Sequence, residues 1–156
     1  MKYFVTGATG FVGGRIVRQL HAAGHDVVAV VRAPEKAGDL AALGIALIQG
    51  DVTAKESMRA PMAGVDGVFH IAGWYKIGVR TVSERRAGEQ INIQGTRNVL
   101  ELMRELGIPK GIYTSTVAVF SDTTARWWMS RISSLAGTSA STTAPSGWRT
   151  MRWLNR

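Results

Sequence analysis

The chain contains no cysteine, which excludes disulfide bridges and thiolate chemistry. No apolar run reaches the roughly 20 residues a helix needs to cross a bilayer. The N-terminus opens directly on an apolar run, with no charged leader ahead of a long apolar segment. These features predict a cytoplasmic protein with no membrane partner. Histidine is scarce: His21, His25 and His70 are scattered without metal-ligand spacing, so no metal site is predicted. Three further absences depend on position. No lysine follows Lys110, no tyrosine follows Tyr113, and no acidic residue follows Asp122. At 156 residues the chain suffices for one domain with a core, and is too short for two.

The formal net charge of +8 is unevenly distributed. Residues 1–122 carry 14 Lys/Arg against 11 Asp/Glu, a net of +3, whereas 123–156 carry five arginines and no acid. Four of the five tryptophans also fall in that last stretch. Basic character of this origin argues only weakly for a nucleic-acid partner.

What is present is concentrated at the start. Thr6-Gly7-Ala8-Thr9-Gly10-Phe11-Val12-Gly13 follows the apolar run 3–5 and opens an amphipathic segment through Ile16, Val17 and Leu20. The context is strand, tight glycine turn, helix. Gly7 can take a backbone conformation that a side chain forbids. Gly10 lets a pyrophosphate approach the main chain, and Gly13 lets the helix pack close to the strand. Phosphates then sit on unpaired N–H groups where the helix dipole favours negative charge.

Apolar runs at 3–5, 27–31, 45–48, 68–72 and 112–119 predict buried strands, and segments at 11–23, 35–43, 54–63 and 84–106 predict helices. Alternation of this kind implies right-handed crossovers and a doubly wound parallel sheet covered on both faces. Thr53-Ala54-Lys55-Glu56 has the pattern of a capping box for the third helix. Gly107-Ile108-Pro109 supplies stop signals for the fourth. Beyond Asp122 the order ends. Residues 123–156 are rich in Ser, Thr, Arg and Trp without a sustained period of 2 or 3.6, which predicts an atypical, poorly ordered tail after a 1–122 domain.

Residues 1–122 resemble the extended short-chain dehydrogenase/reductases, in particular the NAD-dependent epimerase/dehydratase family. The carrying blocks are the 6–13 turn, Gly50-Asp51-Val52, Phe69-His70-Ile71-Ala72-Gly73, the stretch 92–100 (Asn-Ile-Gln-Gly-Thr-Arg-Asn-Val-Leu) and Tyr113-Thr114-Ser115-Thr116 with the four residues after it. They stand in family order and cover about four-fifths of the chain. The resemblance implies an α/β Rossmann-like sheet of about five strands in the order 3-2-1-4-5, truncated after the fifth. It also implies an oxidoreductase acting on a hydroxyl or carbonyl carbon of a sugar nucleotide or similar small molecule. Gly7, Gly10, Phe11, Val12, Gly13, Asp51, Val52, Ala72, Gly73 and Asn92 would contact the dinucleotide, and Thr116, with Ser115 beside it, would steady the substrate oxygen.

For several positions a plainer reading stands beside the borrowed one. Asp51 is an acceptor for the adenine amino group, or a turn residue ahead of Thr53, and the two are compatible. Ala72 and Gly73 admit the nicotinamide ribose, or simply pack closely. His70 reads as a packed strand residue rather than a catalyst. Asn92 is a polar contact under the cofactor, or part of a solvated helix face. Trp74 and Tyr75 wall the substrate pocket, or cover the core. Arg32 ends the second strand, where NAD-specific enzymes place an acid for the ribose hydroxyls. A guanidinium suits a 2′-phosphate by charge and fork geometry, with Arg18 and Lys36 as candidate assistants. That leans the cofactor toward NADP, with NAD and a plain surface arginine as the alternatives.

The family's chemistry needs a Tyr-x-x-x-Lys pair on the next helix, and this chain has none. The tail supplies a reason. Read from the third base of each codon, a back-translation of 140–147 permits Glu-Tyr-Asp-Arg-Thr-Lys-Trp, which contains that pair. The same frame through 148–156 permits Leu-Ala-His-Tyr-Glu-Val-Ala-Glu-Pro, and through 123–130 permits His-Gly-Gln-Val-Val-Asp-Glu. A frameshift near Thr123, equivalent to losing one base, would account for the arginines, the tryptophans and the missing acids together. The nucleotide sequence is expected to run open in the shifted frame past codon 156; a stop codon inside that frame rules the shift out. Two other functions compete with the family's own: a non-catalytic NADP-binding sensor, and nucleic-acid binding through the Arg/Trp tail. Substrate and oligomeric state are not legible.

Overall fold

The structure, a computed structural model, describes residues 1–78 and 80–116. The chain divides into two compact units, Met1–Thr114 and Ser115–Arg156. In the first unit, apolar residues run consecutively rather than alternately; the three central strands they form are largely buried, as parallel sheets require, while the edge strands at 46–49 and 111–113 are mostly exposed. Among the described residues there are five: β1 (Lys2–Thr6), β2 (Asp26–Val31), β3 (Ala46–Gln49), β4 (Gly67–His70) and β5 (Gly111–Tyr113). All neighbours pair in parallel, as the alternation of elements predicts, and their order β3-β2-β1-β4-β5 is the one the family resemblance implies. In register, Val5 of β1 lies between Ala29 of β2 and Phe69 of β4.

The helices are α1 (Phe11–Ala22), α2 (Gly38–Ala41), α3 (Lys55–Met62), α4 (Val82–Gly88) and α5 (Thr96–Glu105). The helix expected over 35–43 is reduced to a 3₁₀ turn at Pro34–Lys36 and the single turn of α2. Gly44, at φ +80°, then ends that stretch. The helix expected over 84–106 is one long rod from 82 to 105, but Glu89–Gly95 within it is wound as a π-helix. Of the strand expected over 112–119, β5 supplies the beginning; residues 117–119 and the proposed 123–156 tail lie outside the described residues.

Packing sorts by strand parity. Phe4, Val28, Val30 and Val68 face Met58, Met62, Val99 and Leu102 of α3 and α5. Val5, Val27, Ala29 and Val31 face Val17 of α1 and Leu40 of α2 on the other side. Phe4, Val5, Val17, Met58, Met62, Val99 and Leu102 are fully buried, each stabilising the fold by about 1.5–3 kcal/mol for the larger aliphatic and aromatic groups. On the surface, Lys55 Nζ bridges Glu101 and Glu105 at 2.7 Å each, and Arg59 reaches Glu56 at 2.6 Å and Glu105 at 2.8 Å. Apart from Arg59–Glu56, which lies within α3, these pairs join α3 to α5, but all are solvent-screened, so each adds little to stability.

The capping box expected at Thr53 is not formed. Asp51 Oδ1 accepts from both the backbone N–H and the hydroxyl of Thr53 at 2.8 Å, which takes that hydroxyl away from the helix. Ala54 becomes the N-cap of α3 without a side-chain bond. A capping box forms instead at α4, where Thr81 Oγ1 accepts from Glu84 N at 3.2 Å and the Glu84 carboxylate accepts from Thr81 N at 3.2 Å.

Candidate dinucleotide cleft

The sheet reverses direction between β1 and β4. Crossovers from β1 lead outward to β2 and β3, and the chain then returns to the other side of β1. Open α/β sheets bind ligands in the crevice at the carboxyl ends of the strands flanking such a reversal. Here those ends carry the glycine turn and the segment from His70 to Gly73.

Gly7 has φ +73°, and a Cβ there would lie 2.6 Å from Ala72 N. Only glycine lets the turn touch β4's exit. A Cβ on Gly13 would lie 2.0 Å from Gly7 O, so α1 packs directly on the turn. Gly10 differs: a Cβ there would meet only Gly7 O, at 3.3 Å, and the space above the turn is open. Gly10 is the N-cap of α1 and no side chain bonds the helix start, nor is there an acid in the first turn. The N–H groups of Phe11, Val12 and Gly13 are thus presented to an anion. The side chain of Phe11 is 79% exposed, with the Arg15 guanidinium 5.0 Å from its ring centroid. An open, uncapped, positively polarised helix start fits a pyrophosphate.

The cleft floor is held by a buried polar chain. Thr6 Oγ1 accepts from Ile71 N and Ala72 N, both at 3.1 Å, which fills its two lone pairs. Its proton must then go to His70 Nδ1, 2.7 Å away. His70 is therefore the tautomer with hydrogen on Nε2, which donates to Thr96 Oγ1 at 3.0 Å. The ring is 3% exposed, and burial pushes its pKa down to about 4. Packing was the expected role for His70; the hydrogen-bonded bridge from β1 to α5 is additional.

At β3's exit, the Asp51 turn is closed by Ser57, whose Oγ accepts from Asp51 N at 3.1 Å. Val52 is 7% exposed and its side chain belongs to the core, which leaves its backbone for polar contacts. That backbone is fixed by Asn98, a buried residue whose Nδ2 donates to Val52 O at 2.8 Å while Gln94 Nε2 donates to its Oδ1 at 2.9 Å. Sequence reasoning gave Asn98 and Gln94 no role, although an i, i+4 amide pair beside a Gly is a visible signal.

Arg32 follows β2 and is exposed, with no hydrogen bond or ion pair to another described residue. Lys36 is exposed in the turn just beyond it. Arg18, expected as an assistant, is committed elsewhere: its guanidinium pairs with Asp39 and donates to Gly14 O at 3.1 Å.

Asn92 has a partner other than the cofactor contact expected of it. Its Oδ1 accepts from Trp74 N at 2.7 Å and its Nδ2 donates to Trp74 O at 2.8 Å. The amide thus mimics a strand neighbour and pins the loop after β4 to the π-helical segment. Between loop residues 74–76 and helix residues 85–92 lies a pocket of about 370 Å³. Lys76 in this loop pairs with Glu84, whose carboxyl is held down to about 2 by that ammonium and by the N–H groups of Arg80 and Thr81. Ser115 and Thr116 are exposed and open the second unit. Among the described residues no cluster of His, Cys, Asp or Glu suits a metal ion, and no helix is long and apolar enough to cross a membrane.

A reversed parallel sheet with an uncapped helix start behind a glycine turn defines a dinucleotide-binding α/β protein. The chain belongs to the NAD-dependent epimerase/dehydratase family, whose model matches residues 3–141. A putative dihydroflavonol 4-reductase of Synechocystis is 39% identical over 116 residues, covering 74% of this chain and 33% of that protein. A 2-alkyl-3-oxoalkanoate reductase of Shewanella oneidensis is 40% identical over 116 residues, covering 74% and 28%. Among solved structures, the UDP-glucose 4-epimerase of Thermus thermophilus in complex with NAD aligns with a TM-score of 0.65 at 27% identity, covering 74% of this chain and 38% of that one. The chain spans about a third of the length of the curated relatives it matches.

Proposed function

We propose that this chain is the NADP-binding part of a reductase, dehydratase or epimerase acting on a hydroxyl or carbonyl carbon, and that it holds its cofactor without turning over substrate. The observation that carries the binding reading is the open, uncapped start of α1, wedged against Ala72 through Gly7. In this reading the N–H groups of Phe11, Val12 and Gly13 hold the pyrophosphate, and Asp51 with the Val52 backbone receives the adenine. Ala72 and Gly73 leave room for the nicotinamide ribose. Asn92 acts on that end of the cleft through the backbone of Trp74. The bound nicotinamide would supply or accept hydride. Thr116, with Ser115 beside it, would orient the substrate oxygen.

Arg32 supports NADP over NAD, since it stands exposed after β2, without a partner among the described residues, where a 2′-phosphate needs charge. Calorimetry is expected to give NADPH an affinity at least tenfold above that of NADH. Arg32→Glu should reverse the order, and equal affinities in the parent chain would sink the NADP assignment. Turnover is a separate matter. Within residues 1–156 no tyrosine follows Tyr113 and no lysine follows Lys110, so this stretch does not carry the Tyr-x-x-x-Lys pair that the family's chemistry uses. That absence also favours a second reading, a cofactor sensor without catalysis; both readings give binding without turnover. A gene whose shifted frame runs open restores the enzyme reading, while a closed frame leaves the sensor.

A further inference from the structure

We propose that Asn98, oriented by Gln94, is the positioning residue that makes the adenine end of the cleft reject bases carrying an oxygen in place of the amino group. The inference rests on the dinucleotide reading, in which Asp51 and the Val52 backbone receive the base.

Asn98 is 4% exposed and stands on the buried face of α5 with Val99 and Leu102. A buried amide is costly unless it is hydrogen-bonded, and a leucine of similar size would carry no such cost. Packing alone does not call for an amide there. Close approach explains what it reaches. The rod from 82 to 105 meets the loops at both ends of the cleft through glycine. A Cβ on Gly88 would lie 3.1 Å from Trp74 Cε3, and one on Gly95 would lie 2.8 Å from Val52 Cγ2. At the second contact Asn98 Nδ2 donates to Val52 O at 2.8 Å.

The polarity of this tie is forced. Val52 O can only accept, so Asn98 turns its NH2 toward it and its oxygen toward Gln94. Gln94 Nε2 donates to that oxygen at 2.9 Å. The peptide between Val52 and Thr53 is held at its other end too, because Thr53 N donates to Asp51 Oδ1 at 2.8 Å. Three amides thus stand head to tail, and the last N–H ends on the Asp51 carboxylate. Hydrogen bonds in such a chain polarise one another and fix each member's orientation.

Thr53 Oγ1 also donates to Asp51 Oδ1, at 2.8 Å, which leaves Oδ2 for an incoming donor. Among the described residues nothing bonds Oδ2 or the Val52 N–H. A fixed acceptor beside a fixed donor matches adenine, whose amino group donates and whose N1 accepts. Hypoxanthine reverses both groups: its O6 would face the carboxylate and its N1–H would face the Val52 N–H. A loose turn could relieve those contacts by turning Asp51 away. A turn tied to the rod through Asn98 cannot.

Calorimetric titration of the full chain with NADPH and with reduced nicotinamide hypoxanthine dinucleotide phosphate tests this. The parent is expected to prefer NADPH by about a hundredfold, since the analogue replaces two hydrogen bonds with two repulsive contacts. Asn98→Leu should reduce that preference to about tenfold or less, mainly through weaker NADPH binding. The ratio decides, because a general loosening of the fold weakens both dinucleotides alike and leaves it unchanged. Gln94→Ala should reduce the preference about threefold. Its side chain is exposed, so that variant should keep the parent's melting temperature and settles the question if Asn98→Leu does not fold. The proposal is overturned if Asn98→Leu, or Gln94→Ala in its stead, discriminates as the parent does, or if the parent binds both dinucleotides equally. A parent that binds neither dinucleotide overturns the cofactor reading and this inference with it; NADPH binding with an unchanged preference in the variants overturns this inference alone.

Discussion

Gly13→Ala is expected to lower NADPH affinity at least a hundredfold. The new methyl group would stand 2.0 Å from Gly7 O, 2.7 Å from Gly7 C and 3.1 Å from Ala8 Cα, all of them backbone. No rotamer change relieves such a contact. The turn cannot retreat either, because Gly7 is already pressed against the Ala72 backbone from the other side. α1 must therefore move outward, taking with it the N–H groups that meet the pyrophosphate. A displacement of about 1 Å at a site of this kind costs on the order of a hundredfold. Overpacking should also destabilise the fold by about 1–3 kcal/mol, measured by urea denaturation. Gly24→Ala is the control: its φ of +77° strains an alanine, but nothing lies within 4 Å of the added atom. It should cost about 1 kcal/mol and leave NADPH affinity unchanged. Parent-like binding by Gly13→Ala would place the cofactor somewhere other than this turn.

Stability should climb with pH between about 4 and 6.5, and His70 should be a main cause. In the fold its pKa lies near 4, below the ordinary 6.5, because the ring is buried. As pH falls through 6.5 the unfolded chain takes up the proton first, so the folded state loses ground down to pH 4. Below that both forms are protonated and the loss stops growing. The difference corresponds to about 3 kcal/mol. Protonation is opposed by geometry as well as by burial: Nδ1 already accepts the Thr6 hydroxyl proton, and a charged ring has no acceptor left there. The check is urea denaturation at a series of pH values for the parent and for His70→Leu. The variant should lose stability at every pH, since Thr6 and Thr96 forfeit a partner, but its curve should be flatter by that amount over the window. Parallel curves would show that His70 does not titrate as described.

Why some of this was legible from the residues and some was not has a physical basis. The parallel sheet followed from the spacing of apolar runs, because such a sheet needs consecutive buried residues and a crossover after each, whereas the strand order came from the family resemblance. The glycine turn was legible because steric exclusion is a property of residue type, and Gly7 and Gly13 each occupy a position where a Cβ collides with backbone. Capping was ambiguous, since Thr53-x-x-Glu56 and Thr81-x-x-Glu84 spell the same pattern. Asp51 decides between them by capturing the Thr53 hydroxyl, a competition visible only once the turn is closed. The polar ties of Asn92 and Asn98 were hidden for a related reason. An amide in a helix advertises hydrogen bonds but not their address, and both addresses lie on loops distant in sequence, at Trp74 and Val52.

The π-wound stretch Glu89–Gly95 leaves the long helix vulnerable in a way that point substitution does not reveal. A π turn holds one residue more than an α turn, so deleting a single residue there would allow an uninterrupted α-helix. Hydrogen bonding along the rod would survive, yet everything before the deletion would swing by about 100° around the axis. Gly88 would rotate out from under the indole and Glu84 away from Lys76. A one-codon loss that looks harmless to helicity would thus re-aim an entire wall of the pocket.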